Sequence, residues 1–433
     1  MKIKIPYGDD TLSFEIPKEN ILLVGEPKGE AGVRNQRAEI SNALRHPIGS
    51  RSISQLVKPD SKVAVISDDF TRPTPSSQIV LVLLDELNRA GVKDDNVKLV
   101  IASGIHRKMT EDELISKFGN ETLSRVSVIH HNADDETQLR HIGETTSGTP
   151  VWINKAVVEA DFRVTIGLIE AHCYAGFGGG PKTIMPGVAG KKTIYFNHGN
   201  LARSEKATFG SLDGNPLWLD IVEVAEMVRL DMILNVVLDS KRRVIRAFAG
   251  DPIIAHRKGI GVFNEVYGIN VPRRADVVIA SANPKYQYFD LCLASILISG
   301  RIVRDGGTMI IAGQCPEGLG SSDIRRLYTE SLARSWPTSE QYLEEIASGK
   351  YDYEMADVSA IYKMLRVLER SEMIFVTDGL SEREANSLRL NWTRSIEHAL
   401  EDAFRKHGNE AKVVILPFGG MCLPFISGIN TRV

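Results

Sequence analysis

The feature that most constrains this fold is an alternation. From about residue 60 to the C-terminus, short β-branched runs alternate with stretches of helical periodicity. Residues 62–67 (KVAVIS) read as a buried strand followed by an amphipathic helix over 76–90, and 97–103 (VKLVIAS) as the next strand. Thr110-Glu-Asp-Glu113 has capping-box spacing and opens a helix. Strands at 126–130 and 162–167 precede a long Gly-rich loop, a helix beginning near Lys191, a hairpin of 234–238 with 244–248, and a helix starting at Asp251-Pro252. The rhythm restarts at 275–281 (ADVVIAS), after the breaker Val271-Pro-Arg-Arg274, and continues through strands at 308–312, 373–377 and 413–416 with helices near 338–348 and 357–370. Such alternation demands parallel sheets with helices on both faces.

A chain of 433 residues exceeds what one hydrophobic core usually supports, so the restart is read as a domain boundary. Two α/β domains with mainly parallel sheets are expected, 1–270 and 271–433, with the active site in the cleft between them. The first 17 residues alternate polar and apolar like an edge strand and lack the apolar run of a signal peptide. No stretch has the 18 or so uncharged apolar residues that span a bilayer. The formal net charge of -3 gives no electrostatic reason to expect nucleic acid or an anionic membrane. Four scattered cysteines, with no CxxC pair, fit a reducing cytoplasm.

Chemistry-bearing residues collect just beyond strand ends, where open α/β sheets bind ligands. Ser67-Asp-Asp-Phe-Thr-Arg-Pro-Thr-Pro75 follows the first strong strand. Its acids and hydroxyls suit helix capping, but Arg72, just before Pro73, has no structural need and suits a bidentate contact with a carboxylate or phosphate. His106 follows a flexible Gly104 past the next strand. The run His172-Cys-Tyr-Ala-Gly-Phe-Gly-Gly-Gly-Pro-Lys182 is the most informative. Its glycines permit close backbone approach and offer N–H groups to a phosphate. Pro181 stands where a P-loop needs its second glycine, so the Walker reading fails by one residue. Lys182 reads as a presented amine, able to act as nucleophile or covalent anchor. His198, in Tyr195-Phe-Asn-His-Gly-Asn200, is a candidate metal ligand, since neutral imidazole suits nickel as well as zinc, copper and iron. Without HxxxH or clustered cysteines a conventional zinc site is not expected. Two histidines could serve as general base and acid on opposite faces of a substrate. His130, His131, His141 and His256 are read as structural.

Several of these motifs, in this order, resemble the nickel-dependent lactate racemase family, over most of the chain and most densely between Asp68 and Gly250. The matching pieces are Asp69-Phe-Thr-Arg-Pro-Thr-Pro75, Gly104-Ile-His-Arg107, His172…Gly-Gly-Pro-Lys182…Met-Pro-Gly-Val-Ala-Gly190, Asn197-His-Gly199 and Phe248-Ala-Gly-Asp-Pro252. The resemblance implies a racemase or epimerase inverting C2 of a 2-hydroxy acid by reversible hydride transfer. The cofactor it implies is a nickel-pincer nucleotide, a pyridinium-3,5-bisthiocarboxylic acid mononucleotide, bound covalently to Lys182. His198 would ligate nickel, and His106 and His172 would be the acid/base pair. Asp69, Phe70, Thr71 and Arg72 would line the nucleotide with Gly178, Gly179 and Gly180, and Arg72 would also approach substrate. Dedicated maturation enzymes would supply the cofactor. The N-terminal domain would then bind cofactor and carry the catalytic residues, with the C-terminal domain contributing to the substrate pocket.

One departure bears on substrate. Lactate-specific members carry a Tyr-Gln pair and then a lysine after the strand at 275–281; here Asp290-Leu291 and Ala294 occupy those positions. Lys285, Gln287 and Asp290 are the candidate substrate contacts, and Asp290 suits a hydroxyl-bearing substrate such as a sugar acid. Two other functions remain open at this level. One is a phosphate- or nucleotide-binding enzyme using the Gly-rich loop at 176–182. The other is a non-catalytic carrier of the nickel nucleotide, which would have no use for both His106 and His172.

Overall fold

The runs read as strands form two six-stranded sheets, each in its own unit: Gly29–Val266, and Met1–Lys28 with Tyr267–Val433. The computed structural model describes residues 1–29, 31–320, 338–348, 355–388 and 391–427.

In the 29–266 unit the strand order is Val244–Gly250, Met232–Leu238, Phe162–Leu168, Val63–Asp68, Val97–Ala102, Ser127–His130. Neighbours run parallel except the Met232–Leu238/Val244–Gly250 hairpin. Phe162–Leu168 and Met232–Leu238 are buried at every position, which is why they read as unbroken apolar runs. Helix Ser76–Arg89 turns Ile79, Val80, Leu83, Leu84 and Leu87 into the core, the stripe its periodicity predicts. The capping box before Glu111–Arg125 forms: Glu113 N donates to Thr110 Oγ1 at 3.2 Å and Thr110 N to Glu113 Oε2 at 2.8 Å. A second antiparallel hairpin, Leu139–Glu144 with Pro150–Asn154, went unread in the sequence.

The second unit's sheet is parallel throughout, in the order Asn391–Thr393, Glu372–Val376, Val303–Ala312, Ala275–Ser281, Val413–Leu416, Ile21–Val24. This corrects the expected division at 270, because residues 1–28 belong with the C-terminal half of the chain. Ile21–Val24 is that sheet's edge strand. The preceding segment is a hairpin, Lys2–Tyr7 with Asp10–Glu15, whose Ile3, Ile5 and Phe14 enter one core with Val277, Ile279, Ile310 and Val413. Alternation shows that a strand has an apolar face; it does not show which distant core receives that face. All four cysteines are free thiols. Among the described residues no helix is long and apolar enough to cross a membrane.

Candidate active site

The turn after Val63–Asp68 is organised by its own acids. Asp69 Oδ1 accepts from Thr71 N at 3.0 Å and Thr71 Oγ1 at 2.5 Å, and its Oδ2 lies 2.7 Å from His106 Nδ1. Burial works against the Asp69 charge, but the bonds from His106 and Thr71 outweigh it and hold the carboxyl below its usual range. A carboxylate only accepts, so in the neutral ring His106 Nδ1 carries the hydrogen and Nε2 the lone pair. Phe70 lies beneath the Arg107 guanidinium, 4.3 Å from its ring centroid. Arg72 Nε meets Glu170 at 2.7 Å, and burial, which disfavours its charge, is outweighed by Glu170, Asp69 and Asp68. Lys117, reaching in from Glu111–Arg125, bonds Asp68 at 2.8 Å and the Arg72 carbonyl at 2.7 Å, fixing the turn from below.

His172 ends a two-residue strand paired with Gly176–Phe177. Its Nδ1 accepts from the amides of Tyr174 (3.2 Å) and Ala175 (3.1 Å), so in the neutral ring Nε2 bears the hydrogen. The two candidate acid/base histidines are thus held in opposite tautomers. His198 lies in the turn Tyr195–Asn200, its ring centroid 6.5 Å from that of His172 and 6.0 Å from that of Tyr174. Burial, then the Lys182 charge, push its pKa down to about 3, so the imidazole is neutral. Its neighbour Asn197 is tied to buried Asp220 at 2.8 Å, which also receives the hydroxyls of Thr145 and Thr149.

Lys182 sits in the tight turn Gly180–Thr183, partly buried. Burial, then the Arg72 charge, lower its pKa to about 8, while Cys173, Glu170 and Asp69 act the other way. Below both values the neutral amine is roughly 300-fold more abundant than for a lysine at 10.5. The structure therefore gathers Asp69, Arg72, His106, His172, Lys182 and His198 into one linked neighbourhood.

The glycines do something other than expected. Gly178 N donates to Glu170 O at 2.7 Å and Gly180 N to Asn235 Oδ1 at 2.6 Å, so neither amide is open to a phosphate. Their need for glycine is steric: a Cβ on Gly179 (φ +74) would lie 2.9 Å from Asn235 Oδ1, and one on Gly180 (φ +57) 2.8 Å from the His256 ring. His256 stacks on Trp218 (centroids 5.2 Å apart) and donates through Nε2 to Gly178 O at 2.8 Å. The phosphate-loop alternative loses these two donors by this arrangement. Sequence reasoning missed Glu170, Lys117, Asn235 and Asp220; the lone Asn235 inside the buried run MILNVVL carried a readable signal.

Lys285, Gln287 and Asp290 lie in the other unit, all partly buried. Tyr288, not Asp290, holds the N-cap position of helix Phe289–Ile302, and Asp290 sits in its first turn, where the helix dipole favours a negative charge. Among the described residues no three His, Cys, Asp or Glu side chains form a metal site.

The fold and site define an α/β protein of two units with a lysine–histidine centre in the 29–266 unit. Its sequence matches the lactate racemase N-terminal domain over residues 7–210 and the lactate racemase C-terminal domain over 272–423. It is 32% identical to a lactate racemase of Thermoanaerobacterium thermosaccharolyticum over 422 residues, 96% of this chain and 97% of that one. To a lactate racemase of Lactiplantibacillus plantarum it is 30% identical over 423 residues, covering 96% and 98%. The lactate racemase apoprotein structure from T. thermosaccharolyticum superposes with a TM-score of 0.90 at 30% identity, over 98% of this chain and 100% of that one. A Thermotoga maritima protein shares the fold at 18% identity, with a TM-score of 0.67. The chain belongs to the lactate racemase family.

Proposed function

We infer that the protein is a racemase or epimerase that inverts C2 of a 2-hydroxy acid using a nickel-pincer nucleotide held on Lys182. The supporting observation is the convergence around Lys182 of neutral His198, the Arg72–Glu170 pair and the Asp69–His106 pair. The residues fit such a group. Lys182 is an amine with a lowered pKa, suited to acylation. His198 is a buried neutral imidazole that would be the metal's one ligand from the protein, consistent with the rest of the coordination coming from the nucleotide. When bound, the nucleotide would accept the substrate's α-hydrogen as hydride and return it.

The protein's own part is proton handling and orientation. His106 Nε2, a lone pair backed by the Asp69 carboxylate, takes the hydroxyl proton of one enantiomer. As the acid on the other side, His172 must be the imidazolium, protonated at both nitrogens, which requires its ring to give up the Nδ1 bonds from Tyr174 and Ala175. After giving the Nε2 proton to the oxygen it keeps Nδ1–H and presents the Nε2 lone pair that the reverse direction needs. Arg72 holds the carboxylate. Lys285, Gln287 and Asp290 are assigned to substrate selection on the family resemblance, and Asp290, Leu291 and Ala294 favour a polar acid such as an aldonate over lactate. The cellular setting is a cytoplasm with maturation enzymes as partners and no nucleic acid or membrane. The test is co-expression with those enzymes, followed by chiral separation of products from a 2-hydroxy acid panel. Interconversion of both C2 configurations of at least one acid is expected. Loaded protein that inverts none would sink the reading.

A further inference from the structure

A groove of about 910 Å³ runs along the free edge of the sheet in the 29–266 unit. Lys98, near the start of Val97–Ala102, lines it, as do His106 and Lys108 beyond that strand's end, His130 of the edge strand, and Lys155. At about 3.3 Å per strand residue, Lys98 lies roughly 13 Å from the end at which His106 follows. Three-carbon lactate cannot span that length.

The groove's charge is one-sided. Its acids are already matched elsewhere, Asp134 by Lys191 at 3.1 Å and Glu159 by Arg140 at 2.8 Å. Arg107 is matched by Glu113 at 2.6 Å. Lys98 and Lys108 have no ion-pair partner among the described residues, and Lys155 donates only to the uncharged Thr137 carbonyl at 2.7 Å. Three uncompensated cations therefore face one groove, in a chain of net charge -3. Burial and the Lys108 charge together lower the pKa of His130, in line with a positive potential there. A concave wall concentrates such a field on an anion.

We propose that this groove holds a second anionic group of the substrate, a carboxylate or phosphate seated between Lys98 and Lys155, whose helix Lys155–Val158 packs on Val97–Ala102, while the C2 hydroxyl at the other end reaches His106 beside Lys108. The substrate is then an extended 2-hydroxy acid with negative charge at both ends. The proposal rests on His106 as the proton-transfer group, so its test is built to read the two claims apart.

Calorimetric titration of the full chain would compare gluconate, with one charged end, against glucarate and 6-phosphogluconate, whose far ends carry a carboxylate and a phosphate. Each exposed lysine contributes about threefold in affinity, so two give about tenfold. At least one doubly charged probe should bind about tenfold tighter than gluconate at low salt. That advantage should shrink as salt screens it and fall to within about twofold in the Lys98→Gln/Lys155→Gln variant. Both lysines are exposed, so the variant should fold. Equal binding of all three probes, or an advantage surviving in the double variant, overturns the proposal. His106→Asn separates the claims: turnover of the loaded variant reports on proton transfer alone, and its preference among the probes on the groove alone.

Discussion

Replacing Asp69 with asparagine should silence the enzyme without unfolding it. Asp69 is 2% exposed and bonds Thr71 through one oxygen and His106 through the other. The Thr71 backbone N–H can only donate, so an amide at position 69 must turn its oxygen there and its NH₂ towards His106 Nδ1. Nδ1 then becomes an acceptor, the hydrogen moves to Nε2, and the lone pair needed for proton abstraction is gone. Forcing the wrong tautomer on a catalytic histidine costs roughly 10³–10⁴-fold in kcat, about 4–5.5 kcal/mol of activation free energy. Stability should change little. The Thr71 bonds survive, and the lost charge-assisted bond goes to a histidine side chain that is 48% exposed, for about 1 kcal/mol. The assay is chiral separation of product from loaded Asp69→Asn protein, with intact mass and nickel content first shown equal to the parent's. Turnover within tenfold of the parent, with both equal, would refute the tautomer argument.

Three other outcomes follow from the same geometry. Gly180→Ala combines left-handed strain of roughly 1–2 kcal/mol with overpacking of roughly 1–3 kcal/mol against a His256 ring pinned by Trp218 and Gly178 O, so denaturant titration should show a loss of about 2–5 kcal/mol; a loss below about 0.5 kcal/mol would mean that the ring yields. Burial lowers the pKa of His131 and of His256 to about 4, below the unfolded value near 6.5, so their contribution is complete above pH 6.5 and is lost as pH falls towards 4. At pH 5 each should cost about 2 kcal/mol relative to pH 7; buried His198, lowered to about 3, adds to the same loss, so urea titration of His256→Gln should remove about 2 kcal/mol of the parent's pH dependence and leave the rest, and an unchanged dependence would assign it to other groups. His198→Ala should keep the nucleotide's added mass but lose most nickel by elemental analysis, and full nickel content would move the ligand elsewhere.

Local chemistry was the legible part of this sequence. The run VKLVIAS was read as a strand and Leu234–Leu238 as one strand of a hairpin from their β-branched, apolar residues alone, and both formed. The Thr110–Glu113 capping box formed as its spacing requires. The proposed site residues were picked out because reactive types past strand ends have few structural reasons to be there, and their motif order marked the family. Long-range partners were not legible. Nothing in residues 1–28 says that their edge strand will pair with Val413–Leu416. Nor does the Gly-rich loop disclose that Asn235, some 55 residues on, takes the Gly180 amide. The opposite tautomers of His106 and His172 likewise depend on what each Nδ1 meets in space: a carboxylate in one case, two backbone amides in the other.

The central claim is that Lys182 carries the cofactor, and intact mass spectrometry of protein co-expressed with the maturation enzymes tests it most directly. The parent should show the mass of a nucleotide adduct. Lys182→Ala should show the bare polypeptide mass while keeping its circular dichroism spectrum. An adduct that persists in Lys182→Ala, or a folded parent that acquires none under conditions that load a known lactate racemase, would contradict the account.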